Sequence, residues 1–534
     1  MSPGYGLSDI LQCSVAAIAT RWQYPILQSA RIRICLFIIV AAYSLSRAVT
    51  GLIGMRLYAH DAFWLLDGAW RIMNGQRPQM DFSSMQGFLA YLPAVIGLCI
   101  SKGSVWGFGY GQALMGLLLP TWMYLIGRKR LQDVSLLLIC LVTCFAAAAP
   151  FSLGESPFQL SPGTTYNRYG YCCLALVLVE AAEEAQTATR ELFGSVSTGA
   201  ITAALFFLKI TFFAAALFLF VLLFPCKQQA KSRFVATGAG FAIVFLICLA
   251  YYSFNLAPMF NDLLLVARAR HLRLVGYTMD QNLAQAAVLL VLCFCAAGLA
   301  SKYAERVMVA RIIVAGTVAT ACAVLCVFGN FEFYGLAFAP FVALLITDLL
   351  VRYTPGLAAS DNFTKGSLLL VGVALASSAV FGGLFSMGVA YYERFHANAH
   401  IPHMKGPRLS GFATDGQELW YAGWVNDGID LLERLRKPEE SIMCLDFSNP
   451  FSYGLAAKPA PGGTNGLHYK NSFNDTAYES AAALFGHADL VMVPKTFSDY
   501  ASQESVPRIY GPYLHSHFHQ IGESKEWILY RRDA

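Results

Sequence analysis

Residues 58–102 read YAHDAFWLLDGAWRIMNGQRPQMDFSSMQGFLAYLPAVIGLCISK. The stretch follows the first long apolar run and mixes three acids, Asp61, Asp67 and Asp81, with aromatic and amphipathic patches. Its second half returns to hydrophobic sequence from Phe88 to Ser101, about 14 residues or roughly 21 Å of helix. A hydrocarbon core of about 30 Å needs around 20 residues. Phe88–Ser101, with Pro93 inside it, therefore reads as a helix lying at the membrane surface without crossing. That choice sets the sidedness of everything after it.

Composition agrees with a membrane protein. Of 534 residues, 56% are hydrophobic and 13% charged, and the mean hydropathy is +0.51. Soluble proteins carry about 25% charged residues. The class is a polytopic α-helical membrane protein, with the lipid bilayer as a partner. A net charge of +5 without a basic stripe gives no footprint for nucleic acid. Among the fourteen cysteines only Cys444 lies in the polar C-terminal third, so the rest read as small packing residues, not a disulfide framework or zinc site.

Arg21, Arg31 and Arg33 follow a weak apolar patch, Ile10 to Thr20, and precede the first span, Ile34 to Met55. They read as the cytoplasmic anchor of an uncleaved helix. The next span is Val105–Gly127, ending at Arg128-Lys129-Arg130, an inside marker that fits only if Phe88–Ser101 does not cross. Further spans fall at 133–150, 168–184, 196–208, 210–225, 234–255, 284–301, 312–328, 335–350 and 367–391. The expectation is about eleven crossings, with Lys227, Lys231, Arg233, Lys302, Arg306, Arg311, Arg352 and Lys365 inside. The pair 196–208/210–225 meets at Lys209; one bent helix there would put Lys227, Lys231 and Arg233 outside.

Residues 1–391 thus form the membrane domain, and 392–534, rich in Arg, Glu, His, Asn and Pro, an external soluble α/β domain. Ser441–Asp446, Ala488–Val493 and Glu526–Arg531 read as strands, Ala413–Arg436 and Tyr478–Gly486 as helices.

Asp61 is an acid just past a membrane span. It caps a surface helix, or it does chemistry; its company (a helix, then Gly75-Gln76-Arg77-Pro78, Asp81-Phe82 and the surface helix) exceeds what capping needs. The second external loop, GESPFQLSPGTTYNRYGY, holds Glu155, Tyr166, Asn167 and Arg168 before a span, either an aromatic belt with a snorkelling Arg or a ligand-facing wall. Arg268, Arg270, His271 and Arg273 lie in the loop 256–283, outside, where the positive-inside rule disfavours them. Phosphate bound by guanidinium is a reason for them to be there. Lys209, flanked by apolar sequence, costs about 2.5–3.5 kcal/mol near a bilayer centre, so it either snorkels from a helix junction or meets an anion. His396, His400 and His403 share a helical spacing and His515, His517 and His519 a strand alternation, but Pro402 interrupts the first set and no Cys or Asp pattern joins either. The turn Asp446–Phe451 ends a strand, where loops often bind ligands, though a plain turn explains it as well.

With His60-Asp61, the helix Ala62–Met73, Asn74-Gly75-Gln76-Arg77-Pro78 through Asp81, Phe88–Ser101 and the basic cluster Gly127–Arg130, residues 31–225 resemble the first part of the GT-C glycosyltransferases, which include the protein O-mannosyltransferases and the bacterial aminoarabinose transferase. The resemblance implies transfer of a sugar from a polyprenyl-phosphate donor to a glycan, lipid or protein acceptor on the external, periplasmic face of a bacterial inner membrane. Asp61 would be the catalytic base, with Arg168, Asn167, Lys209, Arg268, Arg270 and Arg273 binding donor phosphate and sugar, and His60, Asp81, Glu155 and Tyr166 in support. One base and a good leaving group suffice for an inverting displacement. Many members pair two acids at the first site and place an Asp in the second loop; here Ala62 follows Asp61 and residues 151–167 offer only Glu155. A divalent metal is therefore not indicated, and no cofactor is. The rival readings are a transporter or flippase, which should show inverted repeats that this chain lacks, and a non-catalytic scaffold.

Overall fold

The computed structural model describes residues 30–185, 187–223, 230–270, 273–330, 335–355, 359–396 and 401–533. The expectations placed on residues 1–29, Lys227, His271 and His400, and on the side chain of Arg273, lie outside them.

Helix α1 (Ala30–Thr50) stops before the apolar run does. Gly51 and Gly54 take φ of 55° and 71°, which only glycine adopts without strain, and turn the chain out of the helix. Leu52–Met55 becomes a fully buried strand, β1, where the first span was expected to continue. After α2 (Ala59–Met73) and a 3-10 turn at Phe88–Ala90 comes α3 (Leu92–Ile100), whose 9 residues make about 14 Å, under half the hydrocarbon core. It lies directly on α4 (Trp106–Gly127): a Cβ on Gly97 would stand 1.8 Å from the Gly107 carbonyl oxygen, and one on Gly111 2.2 Å from that of Pro93.

The remaining helices are α5 (Asp133–Ala148), α6 (Thr165–Ala182), α7 (Ala188–Leu208), α8 (Ile210–Leu223), α9 (Ala230–Tyr251), the short α10 (Ala257–Ala269), α11 (Arg273–Ala300), α12 (Arg306–Asn330), α13 (Ala339–Tyr353) and α14 (Ala359–Phe395). A helix stands on each expected apolar segment. Among the described residues, α1, α7, α9, α11, α12 and α14 are long and apolar enough to cross a bilayer, and the chain is an integral membrane protein. Lys209, with φ −163° and ψ 124°, breaks α7 from α8, so the two are separate helices.

Charges gather at one end of the bundle. Arg130 (on the loop after α4) and Arg233 (α9) share Glu191, at 2.7 and 2.8 Å, and both approach Glu180. Arg352 bridges Glu183 (2.9 Å) and Asp348 (3.3 Å), and Arg311 lies 3.5 Å from Glu184. Buried charges persist only when paired, and this pairing ties α4, α6, α7, α9, α12 and α13 together. Helix α6, at 18 residues or about 27 Å, carries this network at its C-terminal end and the candidate site at its N-terminal end.

Past α14, strand β2 (Phe412–Thr414) pairs in parallel with β1, Leu52 opposite Phe412 and Met55 opposite Thr414. The helix expected from Ala413 begins six residues later as α15 (Leu419–Leu435), because 412–414 is taken into this strand pair. Then come β3 (Ile442–Cys444), α16 (Pro450–Gly454), α17 (Ala481–Phe485), β4 (Leu490–Pro494), α18 (Ser505–His517), β5 (Phe518–Glu523) and β6 (Trp527–Arg532). The sheet runs β3-β4-β6-β5, with β3 and β4 parallel and the other neighbours antiparallel. Helix α15 seals one face, Trp424 meeting Trp527 at 4.1 Å between ring centroids. The histidine alternation does not lie on one strand: His515 and His517 end α18, and only His519 belongs to β5.

Candidate active site

Helix α2 begins after Tyr58, which adopts the left-handed conformation (φ 53°, ψ 42°) and donates its N–H to Glu418 Oε1 at 3.0 Å. That turn puts Asp61 in the first helical turn, facing the loop that precedes α6; a Cβ on Gly163 would sit 3.1 Å from Asp61 Oδ2. The carboxyl borders a cavity of about 300 Å³ whose lining includes His60, Asp61, Glu155, Tyr166, Lys209 and Arg270. A larger groove of about 940 Å³ runs along α14 near Phe158 and Phe385, but its one acid, Glu393, is paired with Arg56 at 2.5 Å. The smaller cavity has the greater number of acids and cations in its lining.

Burial, with the Glu418 carboxylate beside it, pushes the Asp61 carboxyl up to about 7, against a hydrogen bond from the Thr164 backbone. Burial also raises Glu418 and Glu155; backbone N–H groups of Tyr58 and Ala59 oppose the first shift and the Tyr58 hydroxyl the second. His60 Nε2 lies 3.5 Å from Asp61 Oδ1, and burial pulls its imidazole down to about 4, so it is neutral at pH 7.

Two cations face these acids. Lys209, held at the break between α7 and α8, donates to Asn167 Oδ1 at 3.0 Å and stands 5.2 Å from the Tyr166 ring centroid. Arg270, at the end of α10, donates from Nε to Asn471 Oδ1 at 3.1 Å; burial lowers its pKa and Tyr166 opposes the shift. The C-terminal part of the chain closes the cavity with Phe447, His468 and Asn471. Asn471 Nδ2 donates to His468 Nδ1 at 3.2 Å, which leaves the proton of the neutral ring on Nε2, 3.9 Å from Asp499 Oδ2. Burial, chiefly, lowers the His468 pKa.

Other expected residues stand elsewhere. Arg168 is fully buried and donates to the Ala149 carbonyl and to Thr165 Oγ1 (2.9 Å), so it caps the C-terminus of α5 and does not line the cavity. Arg47 does the same for α1, donating to the Gly51 carbonyl and Gln112. Asp81 is engaged by Arg77 at 3.1 Å, and Arg268 is exposed. Asn167 reaches the site only through Lys209. Sequence reasoning missed Trp64, Gln86, Glu418, His468 and Asn471. The turn at Asp446–Phe451 was the one available signal for the C-terminal contribution, since Phe447 lies on it. Among the described residues no group of three or more His, Cys, Asp and Glu is placed to hold a metal ion.

No family model matches the chain, and no curated protein matches it. Among solved structures it is similar to the crystal structure of ArnT from Cupriavidus metallidurans bound to undecaprenyl phosphate, at 10% identity and a TM-score of 0.39, covering 95% of this chain and 99% of that one. It is also similar to the apo state of the same protein, at 12% identity and a TM-score of 0.38, covering 94% and 98%. The similarity assigns no role to any residue of this chain.

Proposed function

We propose that the chain is a membrane glycosyltransferase that moves a sugar from a polyprenyl-phosphate donor to an acceptor hydroxyl on the external face, with inversion. The observation that carries this reading is the meeting of Asp61 with Lys209 and Arg270 in one cavity. Asp61 takes the acceptor proton as the hydroxyl oxygen bonds to the anomeric carbon. The bond from that carbon to the phosphate oxygen breaks, and the phosphate leaves with the electron pair. A base near pH 7 suits the task, since it is ionised in a large fraction of molecules yet still basic. Lys209 and Arg270 bind the phosphate and offset the charge that grows on it. Asn167 and Asn471 hold those two cations in place.

The donor's chain also has room. Leu153 and Glu155 border a second chamber of about 400 Å³ that continues between α5, α13 and α14, lined by Val142, Phe341 and Leu375. Residues 1–391 serve as the membrane domain, 392–534 as the external domain, and the eleven segments as crossings with a cytoplasmic N-terminus. The test is incorporation of radiolabelled sugar from polyprenyl-phosphate sugars by the purified protein. Full activity in Asp61→Asn would remove the proposed base, and no incorporation by the parent protein would remove the reading.

A further inference from the structure

A further concavity, of about 600 Å³, opens beside α15 and the loops after β4 and before β6. Trp420 presents its indole there, 47% exposed, edge-on to Trp424 at 5.9 Å between centroids. Trp424 is 4% exposed, lines the same pocket, and its Nε1 has no acceptor among the described residues. Asp427 is held rigid, its Oδ2 accepting from Ser524 Oγ at 2.6 Å and from the Glu526 N–H at 2.9 Å. Glu526 and the Thr496 side chain add an acceptor and a hydroxyl to the rim.

We infer that this pocket binds a saccharide, stacking the apolar face of a sugar ring on Trp420 while Asp427, Glu526 and Thr496 meet its hydroxyls. An exposed aromatic face beside convergent polar groups is the complement of a pyranose, which has C–H bonds on its faces and hydroxyls on its edge. The lining's two carboxylates outnumber its one cation, Lys525, which is paired with Glu526 at 2.8 Å, and this disfavours a phosphate or another anion. A Trp that only anchors the chain at the bilayer surface needs neither a concave wall nor a fixed carboxylate.

The pocket is linked to the transfer cavity through one hydrogen bond between neighbouring loops. Ser498, on its lining, donates its N–H to Asp446 Oδ1 at 3.1 Å, one residue before Phe447, and the next residue, Asp499, faces His468. A saccharide held here lies on the acceptor side of Asp61. That assignment rests on the proposed transfer; the binding itself does not.

The experiment is equilibrium dialysis of the full chain in detergent micelles against labelled chitohexaose, cellohexaose and maltohexaose. Saturable retention of at least one is expected, weakened about tenfold in Trp420→Ala, restored in Trp420→Phe, and unchanged in Asp61→Asn. No saturable retention of any of the three overturns the proposal. So does equal retention in Trp420→Ala; if that variant instead loses thermal stability in bilayers but not in micelles, Trp420 is a membrane anchor. Retention intact alongside no sugar transfer by the parent protein would remove the transferase reading and leave the pocket standing. Loss of transfer in Asp61→Asn without any retention would do the reverse.

Discussion

Arg270 Nε and Asn471 Oδ1 are joined at 3.1 Å, and through this bond the part of the chain after α14 fixes the cation that follows α10. The same Asn471 orients His468. One amide therefore positions two of the groups that border the cavity.

Asn471→Ala should lower kcat/KM for sugar transfer by about ten- to a hundredfold, since hydrogen bonds to charged groups contribute about 1.5–3 kcal/mol. The loss should fall mainly on the donor KM. Steady-state kinetics with donor varied will show it, and an unchanged KM would detach Asn471 from donor binding.

The rate should follow the ionisation of Asp61. Activity is expected to rise with pH through about 7 and level off above it. Glu418→Gln removes the neighbouring charge that helps raise Asp61, so the acid limb should move to lower pH. A pH–rate profile whose limb stays in place in this variant would exclude Glu418 as a cause.

The same raised carboxyl has a stability consequence of definite sign. Between the ordinary carboxylate range and about pH 7 the folded chain holds a proton that the unfolded chain has released. Stability therefore falls as pH rises through that window and is level above it. Asp61→Asn carries no charge to bury and should be more stable than the parent at pH 8, by about 1–3 kcal/mol, with no gain at pH 4. Thermal unfolding at the two pH values checks it.

Lys209 and Arg168 should part company. Lys209→Gln is expected to raise the donor KM about ten- to a hundredfold with the fold kept. Arg168→Ala leaves the Ala149 carbonyl unmet and should cost about 1–3 kcal/mol of stability while the surviving protein keeps its donor KM.

Glu180→Ala would leave Arg130 and Arg233 with less countercharge in a buried setting, at a cost of about 3–5 kcal/mol. Yield of folded protein and melting temperature read this out. Glu180→Gln should fall between parent and Ala.

Some of the site was legible because its signals are local or run against expectation. His60 and Asp61 sit in a motif-like stretch, Glu155 and Tyr166 in the adjoining loop, and Lys209 and Arg270 are cations where apolar or acidic sequence is the norm. His468 and Asn471 were not legible, because they enter the site by contacts between residues as far apart as 201 positions. Arg168 misled for the opposite reason: a basic residue at a loop edge suits phosphate, but the end of α5 offered it an unpaired carbonyl first. The histidines of 515–519 misled because their two-residue spacing straddles the change from α18 to β5.

The pairing of β1 with β2 also bears on how the chain is made. Leu52–Met55 is synthesised early, yet the partner strand emerges only after every membrane helix, and Arg56 waits 359 positions for Asp415. Until translation nears its end the nascent first loop has an apolar edge with nothing to bind, so a ribosome stalled after α14 should deliver a polypeptide that quality-control proteases recognise. Completion of the final quarter of the message, by this logic, is what releases the newborn chain from surveillance.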